Sequence, residues 1–381
     1  MSRVSTAPTS ALDAYEPSLD GMRGLCIAAV VVFHACAVAG LGGWMRGGFI
    51  GVSVFFTLSG FLITSLLLRE HGTTGRIDLP TFWARRIRRL WPASFVVVLL
   101  VIILSATAPL AARASDVIAA TWSVTNWHVI TGGGGKLLQT IVGPLGPTWS
   151  LAVEEQFYIV LAVLLVVVAR SRRPAAVLTT FGLVGVLVPV VLSNVITDWK
   201  PSLEFNTLLR MPELFMGVLL AVWHRGGRRR IGSVATADVV AGGGLAVLVA
   251  LFLFVDYSPP WLLRGGYALV ALVTALTLAG LLRHGRVAQL LAWPPLRWLG
   301  TISYSLYLVH WPVMSVLTRD RTGRDRWLLV TIVVVVSLAV AWALHGIVER
   351  PLRRMRSTAR TTIVTGGLTA GALTALGLVL L

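Results

Sequence analysis

The chain is predicted to be an all-α, polytopic transmembrane helical bundle, on three observations. Of its 381 residues 56% are hydrophobic and only 13% are charged, which is far from a soluble domain. Apolar runs of about twenty residues recur along the whole length, each long enough to cross a hydrocarbon core of about 30 Å. The net charge of +17 is dispersed into short Arg-rich segments between those runs. That is how orientation signals are distributed, so no nucleic-acid partner is expected. The two cysteines, Cys26 and Cys36, fall in the first run and offer no disulfide framework.

Eleven spans are predicted, at about 24–42, 49–68, 92–112, 148–169, 175–195, 207–224, 236–255, 262–282, 301–318, 328–347 and 362–381. The opening segment 1–18 is polar, and a span rather than a cleavable signal follows it, so it reads as a cytoplasmic tail. With that tail inside, most of the 33 lysines and arginines fall on the cytoplasmic face. They include Arg23, six arginines between 69 and 91, Arg228 to Arg230 and five from Arg350 to Arg360. One outside loop, 318–327, has four arginines against two aspartates and runs mildly against the rule. The longest outside loop, 113–147, contains Gly132 to Gly135 and is expected to be mobile. No tandem repeat and no matched pair of broken helices is visible, which weighs against an inverted-repeat transporter.

The first span carries an arginine at its start and a histidine eleven residues on. In a helix Arg23 and His34 are separated by roughly 16 Å along the axis, which puts His34 near mid-depth of a core about 30 Å thick. Ionisable groups at that depth usually mark function, and His34 is expected to act as a general base or, as the alternative, as an acyl relay. After the second span, Phe82-Trp-Ala-Arg85-Arg86-Ile-Arg88-Arg89-Leu-Trp-Pro92 places four guanidiniums within five residues. Forked, charge-assisted bonds to phosphate suit such a cluster; an orientation signal touching lipid headgroups is the plain alternative. The fourth span holds Glu154 and Glu155, which project about 100° apart. Glu154 lies roughly 10 Å from the outer face and is expected to orient the His34 imidazole, the plain alternative being a buried acid hydrogen-bonded within the bundle. In the ninth span Ser303, Tyr307 and His310 fall at intervals of four and three and predict one polar stripe, with His310 at the depth of His34. A lone histidine on an apolar helix is more often a packing residue; two at one depth beside a carboxylate make that reading less comfortable.

Three features read as mainly structural. Arg210 and Glu213 can pair at i, i+3 near the outer end of span six. The glycines between Gly48 and Gly60, a run that includes Ser59, allow close helix contact. Glu349 closes span ten and is expected to pair with the basic inner loops. There is no Walker loop, zinc-ligand spacing or Gly-x-Ser-x-Gly elbow, so neither metal nor bound cofactor is expected.

Taken together these motifs resemble the acyltransferase 3 family of integral membrane acyltransferases. The resemblance runs from Leu19-Asp-Gly-Met-Arg23-Gly with its Arg-x10-His spacing, through Gly51-Val-x-x-Phe-Phe-x-x-Ser59-Gly-Phe, to the Phe-x-x-Arg-Arg-x-x-Arg-x-x-Pro pattern ending at Pro92. It continues with Trp-Ser-Leu-x-x-Glu154, Arg210 with Glu213-Leu-Phe-x-x-Gly217, Ser303-Tyr-Ser-Leu-Tyr307-Leu-x-His310-Trp-Pro and Glu349-Arg-Pro. It covers residues 19 to about 352 in family order. The resemblance implies transfer of an acyl group, often acetyl, from acyl-CoA as cytoplasmic co-substrate to a hydroxyl on a glycan or lipid-linked sugar. It implies that the residues matching His34 and Arg23 are needed for activity, and that Arg85, Arg86 and Arg89 belong to the cytoplasmic motif, with Arg88 off the pattern. It further implies a ten-span domain over 19–356, then a linker and an additional eleventh span over 357–381 of the kind that precedes an extracytoplasmic SGNH-type domain. A core cut from a longer protein and a stand-alone variant both stay open. A transporter or flippase for an anionic lipid-linked precursor is the rival class, since it needs the same polar groups but no thioester.

Overall fold

The computed structural model describes residues 16–107, 110–132, 143–196, 200–225, 231–355 and 357–381. Most of the expected N-terminal tail, Gly133 to Gly135 and Arg228 to Arg230 lie outside the described residues. The helices, in chain order, are α1 (Pro17–Val38), α2 (Gly51–Thr74), α3 (Leu79–Ala106), α4 (Ala114–Thr121), α5 (Thr125–Thr131), α6 (Thr148–Ala169), α7 (Pro174–Val195), α8 (Lys200–Phe205) and α9 (Thr207–Arg225). They continue with α10 (Val234–Phe254), α11 (Tyr267–Leu281), α12 (Arg286–Leu291), α13 (Pro294–Thr301), α14 (Ser303–Val316), α15 (Arg319–Thr322), α16 (Arg326–Leu344), α17 (Arg350–Arg354) and α18 (Ala359–Leu380). No strand occurs among the described residues. The protein is an all-α helical bundle, and ten of its described helical segments are long and apolar enough to cross a membrane.

Two sequence expectations are refined. The ninth span, expected at about 301–318, begins where expected but is short: α13 and α14 meet at Ile302, and α14 has only 14 residues, about 21 Å of helix. The break lets α13 lie tightly on α1. A Cβ on Gly300 would sit 1.8 Å from the Asp20 carbonyl oxygen, and one on Gly24 would sit 2.1 Å from that of Leu296. The described part of the outside loop expected over 113–147 contains two short helices, α4 and α5. Asp116 accepts from the Arg113 backbone N–H and holds His128 at 2.9 Å. Asn126 is buried and donates to the Phe205 carbonyl and to Thr207 Oγ1.

Small residues set the central contact between α2 and α9. A Cβ on Gly60 would lie 2.0 Å from the Leu214 oxygen, and one on Gly217 would lie 2.2 Å from the Thr57 oxygen, so the two backbones touch as small-residue membrane interfaces do. Beside this contact Arg210 and Glu213 make two bonds of 2.8 and 2.7 Å, both side chains buried. Arg210 also donates to Ser53 of α2 and to the Glu204 carbonyl, and it stacks 3.8 Å above the Tyr267 ring of α11. The pair therefore ties four helices together, α9 to α2, α8 and α11. Replacing Arg210 with Met is expected to destabilise the protein by about 3–5 kcal/mol by leaving a buried carboxylate alone. Arg210→Met with Glu213→Leu should recover much of that loss, as read from the midpoint of denaturant unfolding in detergent.

Candidate active site

Helical periodicity sorts the arginine run of α3 into two faces. The helix is capped by Asp78, whose carboxylate accepts from the Thr81 N–H and hydroxyl; those bonds hold Asp78 below the usual carboxylate range. From that start Phe82, Arg86, Arg89 and Ala93 recur at i, i+4, i+7 and i+11 and face the bundle, with Phe82, Arg86 and Ala93 buried. Arg86 and Arg89 join Arg23 of α1 in lining a partly open pocket. Arg85 points elsewhere, to a 2.9 Å ion pair with Glu70. Arg88 donates to the Ser357 carbonyl, the Ser357 hydroxyl and the Thr362 hydroxyl. Three of the four expected donor-binding arginines thus share one pocket, and Arg85 does not.

The pocket is short of negative charge. Arg23 donates to Ser303 Oγ at 2.9 Å and lies 3.8 Å from Asp20. The Arg86 guanidinium rests 3.5 Å above the Tyr158 ring, and its buried Nε has no hydrogen-bond partner. Arg89 makes no hydrogen bond or ion pair among the described residues. Glu154 is the one carboxylate in the described lining, and it accepts from Ser59 at 2.8 Å and from Tyr158 at 3.0 Å. Desolvated guanidinium without a full set of acceptors is costly, so the cleft favours an anion with several oxygens.

Beyond the pocket's far wall stand the two histidines. Tyr307 lines the pocket, and its hydroxyl contacts Ser150 Oγ at 2.6 Å and donates to the Pro147 carbonyl at 2.9 Å. One turn on, His310 is fully buried, and its Nε2 lies 3.2 Å from His34 Nδ1. The partners fix both tautomers. His310 Nδ1 faces the Tyr307 and Leu306 carbonyls, which only accept, so it carries the proton and leaves Nε2 as an acceptor. His34 Nδ1 therefore donates to it, with the Val30 carbonyl as a second acceptor near the same ring. The lone pair of the half-buried His34 is thereby placed on Nε2, the geometry of a general base held by a neighbour.

This arrangement differs from the expected one at two acids. Glu154 does not orient His34; its oxygens are occupied by Ser59 and Tyr158 in the arginine pocket, and His310 takes the orienting position. Glu349 does not reach the basic loops: it is buried, accepts from Ser305 at 2.8 Å and pairs with His345 Nδ1 at 2.9 Å. Sequence reasoning also missed Tyr158, Tyr304 and Ser150 in the pocket lining. Tyr158 lies one turn after Glu154, a spacing that would have shown it.

A second pocket, of about 890 Å³, lies at the opposite end of α1 and α14 and is lined by Val38, Gly143, Trp311, Ser315, Thr318 and Arg321. Arg23 and Val38 are separated by about 22 Å of helix. The Trp311 ring meets the His34 ring edge-on at 5.1 Å. The histidine pair consequently stands between an arginine-lined cleft and a mixed, largely apolar one, with Tyr307 and Trp311 as the side chains in between.

Comparison with known proteins identifies the family. The family described as an acyltransferase domain matches residues 16–346. The O-acetyltransferase OatA of Staphylococcus aureus (strain NCTC 8325 / PS 47) is 33% identical over 312 residues, 79% of this chain and 51% of the relative. YrhL of Bacillus subtilis (strain 168), named for peptidoglycan O-acetylation, is 35% identical over 358 residues, 89% of this chain and 55% of the relative. The chain thus spans about half the length of these relatives. No solved structure is a significant match. With the family's domain matched over nearly its whole length and ten apolar helices to carry it, the chain belongs to the acyltransferase 3 family of integral membrane proteins.

Proposed function

We propose that the protein is an O-acyltransferase of the cytoplasmic membrane, with its N-terminus inside, that moves an acetyl group from acetyl-CoA to a hydroxyl of a cell-envelope glycan or lipid-linked sugar. The observation that carries this reading is the position of the histidine pair between two pockets at opposite ends of α1, one rich in guanidinium. The acetyl group and the glycan acceptor follow the names of the relatives.

In this mechanism the phosphates of the donor rest on Arg23, Arg86 and Arg89, while the pantetheine arm extends toward Tyr307. A movement of the Tyr307 side chain brings the thioester to His34. The acceptor hydroxyl arrives from the Trp311 side. His34 Nε2 takes its proton as the new oxygen–carbon bond forms; the carbon–sulfur bond breaks, and the proton passes to the departing thiolate, so the base is regenerated. His310 acts as a positioning residue, because its Nε2 accepts the His34 Nδ1–H and keeps the lone pair on the reacting side. Ser59, Glu154 and Tyr158 hold the Arg86 platform, and Ser303 holds Arg23. His310→Leu should therefore lower kcat by about 10–100-fold, as lost orienting partners do at other sites. Donor KM should stay nearly constant and the pH–rate profile should move. An unchanged profile would assign His310 to packing.

The reading is tested with the purified protein by following free coenzyme A, with and without an added glycan acceptor. Acceptor-dependent release with ester on the glycan supports transferase chemistry. Acceptor uptake into vesicles without thioester consumption would favour the transporter class instead.

A further inference from the structure

The outward face of α3 leads to a second ligand, distinct from the donor. Arg88, Trp91, Phe95 and Leu99 recur at i, i+3, i+7 and i+11, the face opposite Arg86 and Arg89. Together with α18 this face lines a long apolar groove, with Leu352, Met355 and Ser357 at its basic end. Its floor is formed where Gly366 approaches the Trp91 ring, so closely that a Cβ there would lie 2.9 Å from the indole. The hydroxyls of Thr365 and Thr369 on the α18 wall are turned back to carbonyls four residues earlier, which leaves the wall apolar in practice.

We propose that this groove holds one anionic phospholipid, its headgroup phosphate at Arg88 and an acyl chain running along Trp91, Phe95 and Leu99. The dimensions suit a single leaflet: Arg88 to Leu99 spans about 16 Å of helix, roughly half of a 30 Å hydrocarbon core. The charge fits as well. All three bonds of Arg88 use Nη1, and neither Nη2 nor Nε is bonded among the described residues. Arg353 and Arg354 of α17 are exposed just before the groove-lining Met355. Ser357 and Thr362 fix the guanidinium at the mouth, so it is held in place before a phosphate arrives. The run Arg85–Arg89 is in this reading a single basic sequence serving two ligands, with Arg86 and Arg89 facing a soluble donor and Arg88 facing the bilayer.

The test uses delipidated full-length protein in detergent, titrated with phosphatidylglycerol or phosphatidylcholine of matched chains and read by native mass spectrometry. Phosphatidylglycerol is expected to bind on the order of fivefold more tightly, the scale of one basic contact to an anionic headgroup. Arg88→Gln should abolish that preference while leaving phosphatidylcholine binding nearly unchanged. Val96→Trp, which fills the apolar length and keeps Arg88, should weaken both lipids. Equal affinity for the two lipids in the wild type, an undiminished preference in Arg88→Gln, or unaltered binding in Val96→Trp would each overturn the proposal.

Discussion

His34→Asn is expected to reduce acyl transfer by about 10²–10⁴-fold, the usual contribution of a positioned general base. The variant separates chemistry from packing. An asparagine amide can still donate toward His310 Nε2 from near the position of His34 Nδ1, but it has no counterpart of the Nε2 lone pair. Protein yield and the thermal midpoint in detergent should stay close to wild type, and donor binding should be unchanged because His34 does not line the arginine pocket. His34→Ala should lose transfer to the same degree. Turnover near the wild-type rate in either variant would remove His34 from the reaction.

The second large effect is expected at the donor arginines, and the structure makes it selective. Arg86→Gln and Arg89→Gln should each raise donor KM by about 10–100-fold, the range of one charge-assisted hydrogen bond. Acceptor KM should change little. Arg85→Gln should stay within about threefold of wild type, because Arg85 is spent on an exposed pair with Glu70 and such pairs contribute little. Equal losses at all three positions, or equal effects on donor and acceptor, would return the run to a role in membrane orientation.

This selectivity shows what could and could not be read from the chain. Helical period alone did not divide Arg86 and Arg89 from Arg85 and Arg88, because Arg85 and Arg89 stand at i, i+4, and it did not say which residues faced inward. Phe82 and Ala93, buried on the Arg86 side, settle that through packing. The apolar runs and the i, i+3 spacing of Arg210 and Glu213 were legible because each is a local pattern. The partners of His34 were not. Depth alone allowed both Glu154 and His310, and the choice depends on how α6 and α14 rotate about their axes, which no short-range pattern encodes. The start of the ninth span near Ile302 was legible because polarity rises through α13, whereas the close approach of Gly300 to α1 was not, being a contact between segments nearly 300 residues apart. Glu349 shows the same limit, since Ser305 is distant in sequence and its bond appears only after α14 has packed.

The central claim is that one histidine is reached by a thioester from one face of the membrane and by an alcohol from the other. Proteoliposomes of uniform orientation test it most directly, with acetyl-CoA supplied only on the side bearing Arg23 and a glycan acceptor confined to the opposite side. The account predicts ester on the confined acceptor, an equal amount of free coenzyme A on the donor side, and neither product with His34→Asn. Transfer that occurs only when donor and acceptor share one compartment would contradict it.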